Sequence, residues 1–185
     1  RYRGKWVNWT ILFGGDEHTL HRIYGIPLDE GSDLMNIYFS MFPEVKTFQD
    51  SILYMAERQG YVETVYGRRY YAGSMDSAER RTMMNYPVQS AASDTLLLAL
   101  GILQRLMPEF RSKFVNTVHD SILFEVYPHE LESLAILVTE VMENLDVHAK
   151  RFAPNISLSW LTVPLKVDIE VGEYYGTLSH YTPCE

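Results

Sequence analysis

The stretch from Phe114 to Val126, reading Phe-Val-Asn-Thr-Val-His-Asp-Ser-Ile-Leu-Phe-Glu-Val, constrains this chain more than any other. Period-two reading puts Val115, Thr117 and His119 on one face and Asn116, Val118 and Asp120 on the other. The alternation resumes after Ser121, with Leu123 and Glu125 opposed to Phe124 and Val126. Two short strands meeting at His119-Asp120 are predicted. A carboxylate buried among apolar strands is costly unless a cation or hydrogen-bond donors meet it. Two chemistries satisfy Asp120: a hard divalent metal, or a turn in which the carboxylate caps its own backbone. The pattern leaves both open.

The chain has 185 residues, 46% hydrophobic and 22% charged, which suits a globular protein with one sizeable core or two small ones. No apolar run approaches a membrane span; Thr95–Leu103 stops well short, and no export signal is visible at the first residues. A single cysteine, Cys184, excludes an internal disulfide, fits a reducing compartment and offers no zinc site. The net charge of -8 argues against a nucleic-acid partner until its distribution is read. Up to Arg81 there are ten Lys/Arg against eleven Asp/Glu, and from Thr82 onward six against thirteen. The basic residues of the first part gather at Arg1-Tyr2-Arg3-Gly4-Lys5, Arg68-Arg69 and Arg80-Arg81. Such clusters meet phosphates or form a solvated surface. The chain begins without Met, inside a helical pattern, so its natural beginning is expected to lie upstream.

Residues 3 to 13 carry Lys5, Trp9 and Phe13 at i, i+4 and i+8, ended by Gly14-Gly15. This face either meets a triphosphate and stacks on a base, or buries Trp9 and Phe13 in a core. Asp16 is predicted to cap a second helix to Tyr24. A third runs from Leu28 to Phe42 with Leu34, Ile37, Tyr38 and Met41 on its apolar face, and a fourth from Pro43 to Gln59 with Val45, Phe48, Ile52, Met55 and Ala56, closed by Gly60. A hairpin follows from Tyr61 to Tyr71, turning at Gly67. A helix from Ser77 to Met107 is predicted to be interrupted at Pro87. Its Arg81, Asn85 and Gln89 form a polar stripe able to reach base edges or sugars, opposite Met83, Met84, Val88 and Ala92. After the central strands come a helix from His129 to Ala149, a strand from Leu161 to Val171 and a loose aromatic tail.

Taken together, these stretches resemble the family A DNA polymerases over nearly the whole chain. Lys5-Trp6-Val7-Asn8-Trp9-Thr10-Ile11-Leu12-Phe13-Gly14, preceded by Arg1, is similar to the fingers helix called motif B. Gly60 to Thr64 with Gly67-Arg68-Arg69 is similar to the family's fingers-to-palm hairpin. Arg81, Asn85, Pro87, Val88 and Gln89 match the long palm helix, and Val118-His119-Asp120 followed by Phe124-Glu125-Val126 resembles motif C. The resemblance implies an α+β fold, an incomplete right-hand polymerase with helical fingers at 1–59, a connecting hairpin at 60–76 and a palm at 77–185 that combines a small antiparallel sheet with packed helices.

It also implies DNA-directed DNA synthesis with two magnesium ions, Asp120 being one ligand. Arg1 and Lys5 would meet the β- and γ-phosphates, and Lys5 would protonate or stabilise the pyrophosphate leaving group. Trp9 would pack on the nucleotide, and Phe13 and Gly14 would sit where the templating base enters. Arg81, Asn85 and Gln89 would contact the duplex through its minor groove, and His119 would lie near the primer terminus. Primer-template DNA and deoxynucleoside triphosphates are the implied partners, with no membrane, and the cytoplasm of a bacterial or phage-infected cell, or an organelle, the implied location.

Some residues depart from the pattern. Ser121 stands where the family usually has Glu, Thr117 where it has Gln, and Trp9 and Phe13 replace a Phe and a Tyr; His-Asp-Ser is also similar to single-subunit RNA polymerases. Motif A, with the second metal-binding aspartate, lies upstream of motif B in the family, and Asp76, Asp94 and Asp168 lack its strand context. The expectation is therefore a fragment or split subunit, inactive alone, whose remainder carries motif A. The rivals are a noncatalytic DNA-binding or assembly subunit and an RNA-synthesising enzyme.

Overall fold

The structure, a computed structural model, describes residues 2–183. Two compact units divide it between Ala91 and Ala92.

The first unit opens on α1 (Tyr2–Leu12), whose Val7 and Ile11, one turn apart, face inward. Helix α2 (Glu17–Tyr24) begins at Asp16, whose Oδ1 accepts from the Thr19 amide at 2.8 Å. Helices α3 (Leu28–Met41) and α4 (Pro43–Gln59) follow. Gly60 closes α4 with φ +78° and donates its N–H to the Ala56 carbonyl, the left-handed cap that glycine adopts without a Cβ penalty. Strands β1 (Tyr61–Glu63) and β2 (Arg69–Tyr71) pair antiparallel, and α5 (Ser77–Leu106) starts in this unit. One core joins Val7, Ile11, Leu20 and Ile26; another joins Ile52, Ala56, Val62 and Met83.

Helical periodicity misplaces two faces here. Ile37 and Met41 of α3 are exposed, and the residues packed on the core are Leu34, Met35, Tyr38 and Phe39. The stripe is rotated because the Tyr38 hydroxyl donates to Asn8 Oδ1 at 2.9 Å, fixing which side meets α1. On α4, Phe48 and Met55 are exposed while Gln49 is buried beside Ile52 and Ala56.

Helix α5 is unbroken at Pro87. Proline removes one helical N–H and crowds the carbonyl four residues back. One turn further on, Ser90 donates its hydroxyl to the Tyr86 carbonyl. Val88, expected on the apolar side, is exposed beside Gln89.

In the second unit, β3 (Lys113–Val118) and β4 (Ser121–Glu125) pair antiparallel from Lys113 opposite Glu125 to Val118 opposite Ser121, with a bulge at Val115. The single helix predicted over 129–149 is two: a 3-10 turn at Pro128–Glu130 leads into α6 (Leu131–Glu143), then α7 (Leu145–Phe152). Asn144 separates them with non-helical dihedrals of -111° and 38°. The long final strand is also shorter than expected. Only β5 (Ile169–Val171) forms, paired with β6 (Ser179–Tyr181) from the supposed loose tail. Pro164 cannot donate to a ladder, and Val163 is exposed. The segment is pinned instead by Glu143, which accepts from Lys166 Nζ at 2.9 Å and the Val167 amide at 3.1 Å. The architecture is α+β, with three separate two-stranded antiparallel sheets among the described residues. Among the described residues, no helix is long and apolar enough to cross a membrane.

Candidate functional site

Helix α1 of the first unit turns Val7 and Ile11 inward and leaves Lys5, Trp9 and Phe13 outside. Trp9 is 52% and Phe13 46% exposed, so the core-filling alternative for this face fails. The packing role falls to Trp6, which stacks on Tyr24 at 4.7 Å. Lys5 Nζ lies 4.7 Å from the Trp9 ring centroid, a cation-π contact that holds a positive charge beside an open aromatic face.

The end of α1 is fastened from two sides. Gln49 Nε2, buried, donates to the Ile11 carbonyl at 2.7 Å. Asn85 Nδ2 donates at 2.9 Å to both the Phe13 and Arg81 carbonyls. Gly14 has φ +71°, and a Cβ there would lie 2.4 Å from Met84 Cε and 3.5 Å from Arg81 Cγ. Phe13, Gly14, Arg81 and Asn85 are thus brought together where α1 meets α5. Gln89 is one turn further along α5 and exposed. Asn85 spends its amide hydrogens inside the protein, which leaves its oxygen as the group able to face outward. Arg1 lies outside the described residues. Gln49 escaped sequence reasoning; its signal was one amide on an apolar stripe, between Phe48 and Ile52.

His119 and Asp120 in the second unit are the two turn residues between β3 and β4, as the alternation predicts. Both are exposed, so the expectation of a poorly solvated carboxylate is wrong: the short hairpin lifts its tip into water. The turn-capping alternative also fails. Among the described residues no hydrogen bond or ion pair engages the Asp120 carboxylate, and Ser121 Oγ closes the turn by donating to the Val118 carbonyl at 2.8 Å. His119 takes φ +56°, unusual for a residue with a side chain. An open, unspent carboxylate on a strained turn suits a hard divalent cation. It is one donor, however, and among the described residues no group of three or more His, Cys, Asp or Glu could hold a metal ion.

Asp120 also borders a cleft of about 1060 Å³ within this unit. Ile122, Phe124, Leu134 and Val138 line it together with charged residues that include Lys166, Asp168 and Glu170. The other two aspartates considered from sequence are placed differently. Asp76 caps α5, its Oδ1 accepting from the Glu79 and Ala78 amides at 2.9 Å. The Glu79 amide, then the Ser74 hydroxyl, hold its pKa below the ordinary value. Asp94 lies within α5.

Residues 1–177 match the profile described as DNA polymerase family A. The chain is 31% identical to the thermostable DNA polymerase I of Thermus aquaticus over 94% of its own length and 20% of that protein. The values are 33%, 93% and 19% for DNA polymerase I of Geobacillus stearothermophilus. The chain thus spans about a fifth of the length of the curated relatives it matches. Among solved structures, the POL domain of Pol1 from M. smegmatis, in complex with DNA primer-template and dNTP, is similar with a TM-score of 0.70 and 30% identity, covering 77% of this chain and 27% of that one.

Proposed function

This chain belongs to DNA polymerase family A, and on that premise we propose that it serves template-directed DNA synthesis, with residues 1–59 as fingers, 60–76 as the connecting hairpin and 77–185 as palm. The observation that carries the reading is the hairpin tip: an exposed Asp120 carboxylate with no hydrogen-bond or ion-pair partner among the described residues, beside His119 in a left-handed conformation. The left-handed residue is what a two-residue hairpin turn requires, and the open carboxylate is what a metal ligand requires.

Asp120 would hold one carboxylate position on a pair of magnesium ions. Bound there, such ions would neutralise the triphosphate and make the primer hydroxyl a better nucleophile. Asp120 alone does not complete a site, so the second carboxylate belongs to polypeptide outside these residues, in the same or another chain. The cleft beside Asp120 is consistent with a further segment covering it.

Lys5 has its charge already placed over Trp9, where it would meet the β- and γ-phosphates together with Arg1 and donate a proton to the departing pyrophosphate. Trp9 would pack against the nucleotide, and Phe13 and Gly14 would border the templating base. Arg81, the Asn85 oxygen and Gln89 would meet the minor groove, whose acceptors are similar for every correct pair, so the stripe tests pair geometry without reading sequence. His119 would border the primer end. Primer-template DNA and deoxynucleoside triphosphates are the partners, and the setting is the cytoplasm of a bacterial or phage-infected cell or an organelle, a reading that the bacterial relatives named above support.

Primer extension tests this. The chain is expected to be inactive alone and to extend a primer with deoxynucleotides once a motif-A-bearing polypeptide is added, with Asp120→Ala removing that activity. Extension surviving Asp120→Ala sinks the catalytic assignment. Inactivity with motif A restored favours a noncatalytic DNA-binding subunit, and a preference for ribonucleotides, suggested by the His-Asp-Ser triplet, favours RNA synthesis.

A further inference from the structure

We propose that the outer face of the β1–β2 hairpin is a stacking platform for unpaired bases of single-stranded DNA, a site separate from the nucleotide and metal residues above. Only the identity of the strand as DNA rests on the polymerase reading.

The hairpin has two faces of different character. Val62 is buried and Tyr70 packs on the same core, so side-chain alternation turns Tyr61, Glu63, Arg69 and Tyr71 outward. Tyr61 and Tyr71 are direct cross-strand partners, with ring centroids 5.5 Å apart and planes tilted by 54°. The Arg69 guanidinium lies 4.5 Å from the Tyr61 ring centroid, and its Nε donates to Glu63 Oε2 at 2.8 Å. The outermost ring, Tyr71, is 65% exposed.

Glu63 therefore fixes Arg69, Arg69 covers Tyr61, and Tyr61 props Tyr71 with one face towards solvent. Tyr61 and Tyr71 stabilise the hairpin as a cross-strand aromatic pair, yet Tyr71 remains largely open to solvent. Their arrangement suits bases, which stack on aromatic faces regardless of sequence, while Arg69, held by Glu63 and by the Tyr71 side chain, fixes the two rings in place. The same pairing recurs on the exposed side of α4: Arg58 lies 5.5 Å from the Tyr54 ring centroid and donates to the Tyr54 hydroxyl at 2.9 Å. A paired duplex hides its base faces, so an unpaired segment is the fitting ligand.

The test is fluorescence anisotropy of the 185-residue chain with a labelled single strand of about twelve nucleotides, a length within the usual site range. Tyr71→Ala and Tyr71→Leu are expected to weaken binding roughly tenfold, because both remove the flat ring. Tyr71→Phe should bind like the parent, and circular dichroism should show all three variants melting with the parent. A blunt duplex should compete poorly. Parent-like binding by a folded Tyr71→Leu, equal competition by duplex, or no single-strand binding by the parent overturns the proposal. Asp120→Ala should leave single-strand binding unchanged, which separates the two readings. Tyr71-dependent binding without primer extension in the presence of a motif-A-bearing polypeptide would sink the catalytic reading alone, and extension with Tyr71-independent binding would sink the platform alone.

Discussion

Gly14 combines two constraints at one residue, a φ of +71° and a prospective Cβ 2.4 Å from Met84 Cε. The left-handed conformation costs a non-glycine residue about 1 kcal/mol, and Met84 would have to move as well. Gly14→Ala is expected to lower stability by about 1–2 kcal/mol, read from the urea midpoint at unchanged slope. A midpoint within error of the parent would show that the α1 end shifts freely.

Glu130 is a residue of another kind, a carboxylate that collects donors. Ser112 Oγ donates to it at 2.6 Å, and the Arg111 and Ser112 amides at 3.0 and 2.8 Å. The Ser112 hydroxyl foremost, with the Arg111 amide, holds its pKa at about 2 against an ordinary 4.5. The folded pKa is depressed, so this stabilisation is present above pH 4.5 and is lost as pH falls towards 2. Glu130→Gln is expected to destabilise the chain at pH 6 and to flatten the loss of stability below pH 4.5. Urea titrations of both proteins across that range measure it, and parallel curves would rule it out.

At the scale of elements, the decisive contacts are polar bonds at helix ends. Gln49 carries α4 onto the last carbonyls of α1, where the Ile11 carbonyl accepts from both the Gln49 amide and the Gly14 N–H. Gln49→Leu is therefore expected to cost about 0.5–1.5 kcal/mol, the net worth of one hydrogen bond, despite adding apolar surface to an apolar stripe. A neutral or stabilising result in chemical denaturation would mean that the Gly14 N–H alone satisfies the Ile11 carbonyl. Glu143 ties the 166–167 segment to α6. Gln49 and Glu143 account for part of the difference between the periodic reading and the structure.

For the whole molecule, charge sets an expectation about DNA. Of the cations in the first unit, Lys46 is paired with Asp50, Arg69 with Glu63 and Arg80 with Glu57, while the second part of the chain is acidic. At most the seven other Lys and Arg up to Arg81 are left to release counterions, so the slope of log affinity against log salt for primer-template should be no steeper than about -6. Anisotropy between 50 and 200 mM salt measures it, and a steeper slope would require a larger basic surface than the described residues supply.

The sequence by itself determined the elements up to the central turn and their order: four helices before Gly60, the hairpin after it, the long polar-striped helix, and the turn with His119-Asp120 at its two central positions. It also determined the family, because residue types at set spacings survive without any knowledge of packing. What only the tertiary structure decided was which way side chains face. Ile37, Met41, Phe48 and Met55 have the right period for a core yet lie outside, since bonds from Tyr38 and Gln49 to distant backbone and side-chain atoms orient their helices. Trp9 and Phe13 remain open because Val7 and Ile11 take the inner face. Asp120 proved exposed and unspent, and Tyr61, Arg69 and Tyr71 became a stacked surface through cross-strand register. Periodicity encodes local geometry, whereas burial depends on partners far away in sequence, and no period records them.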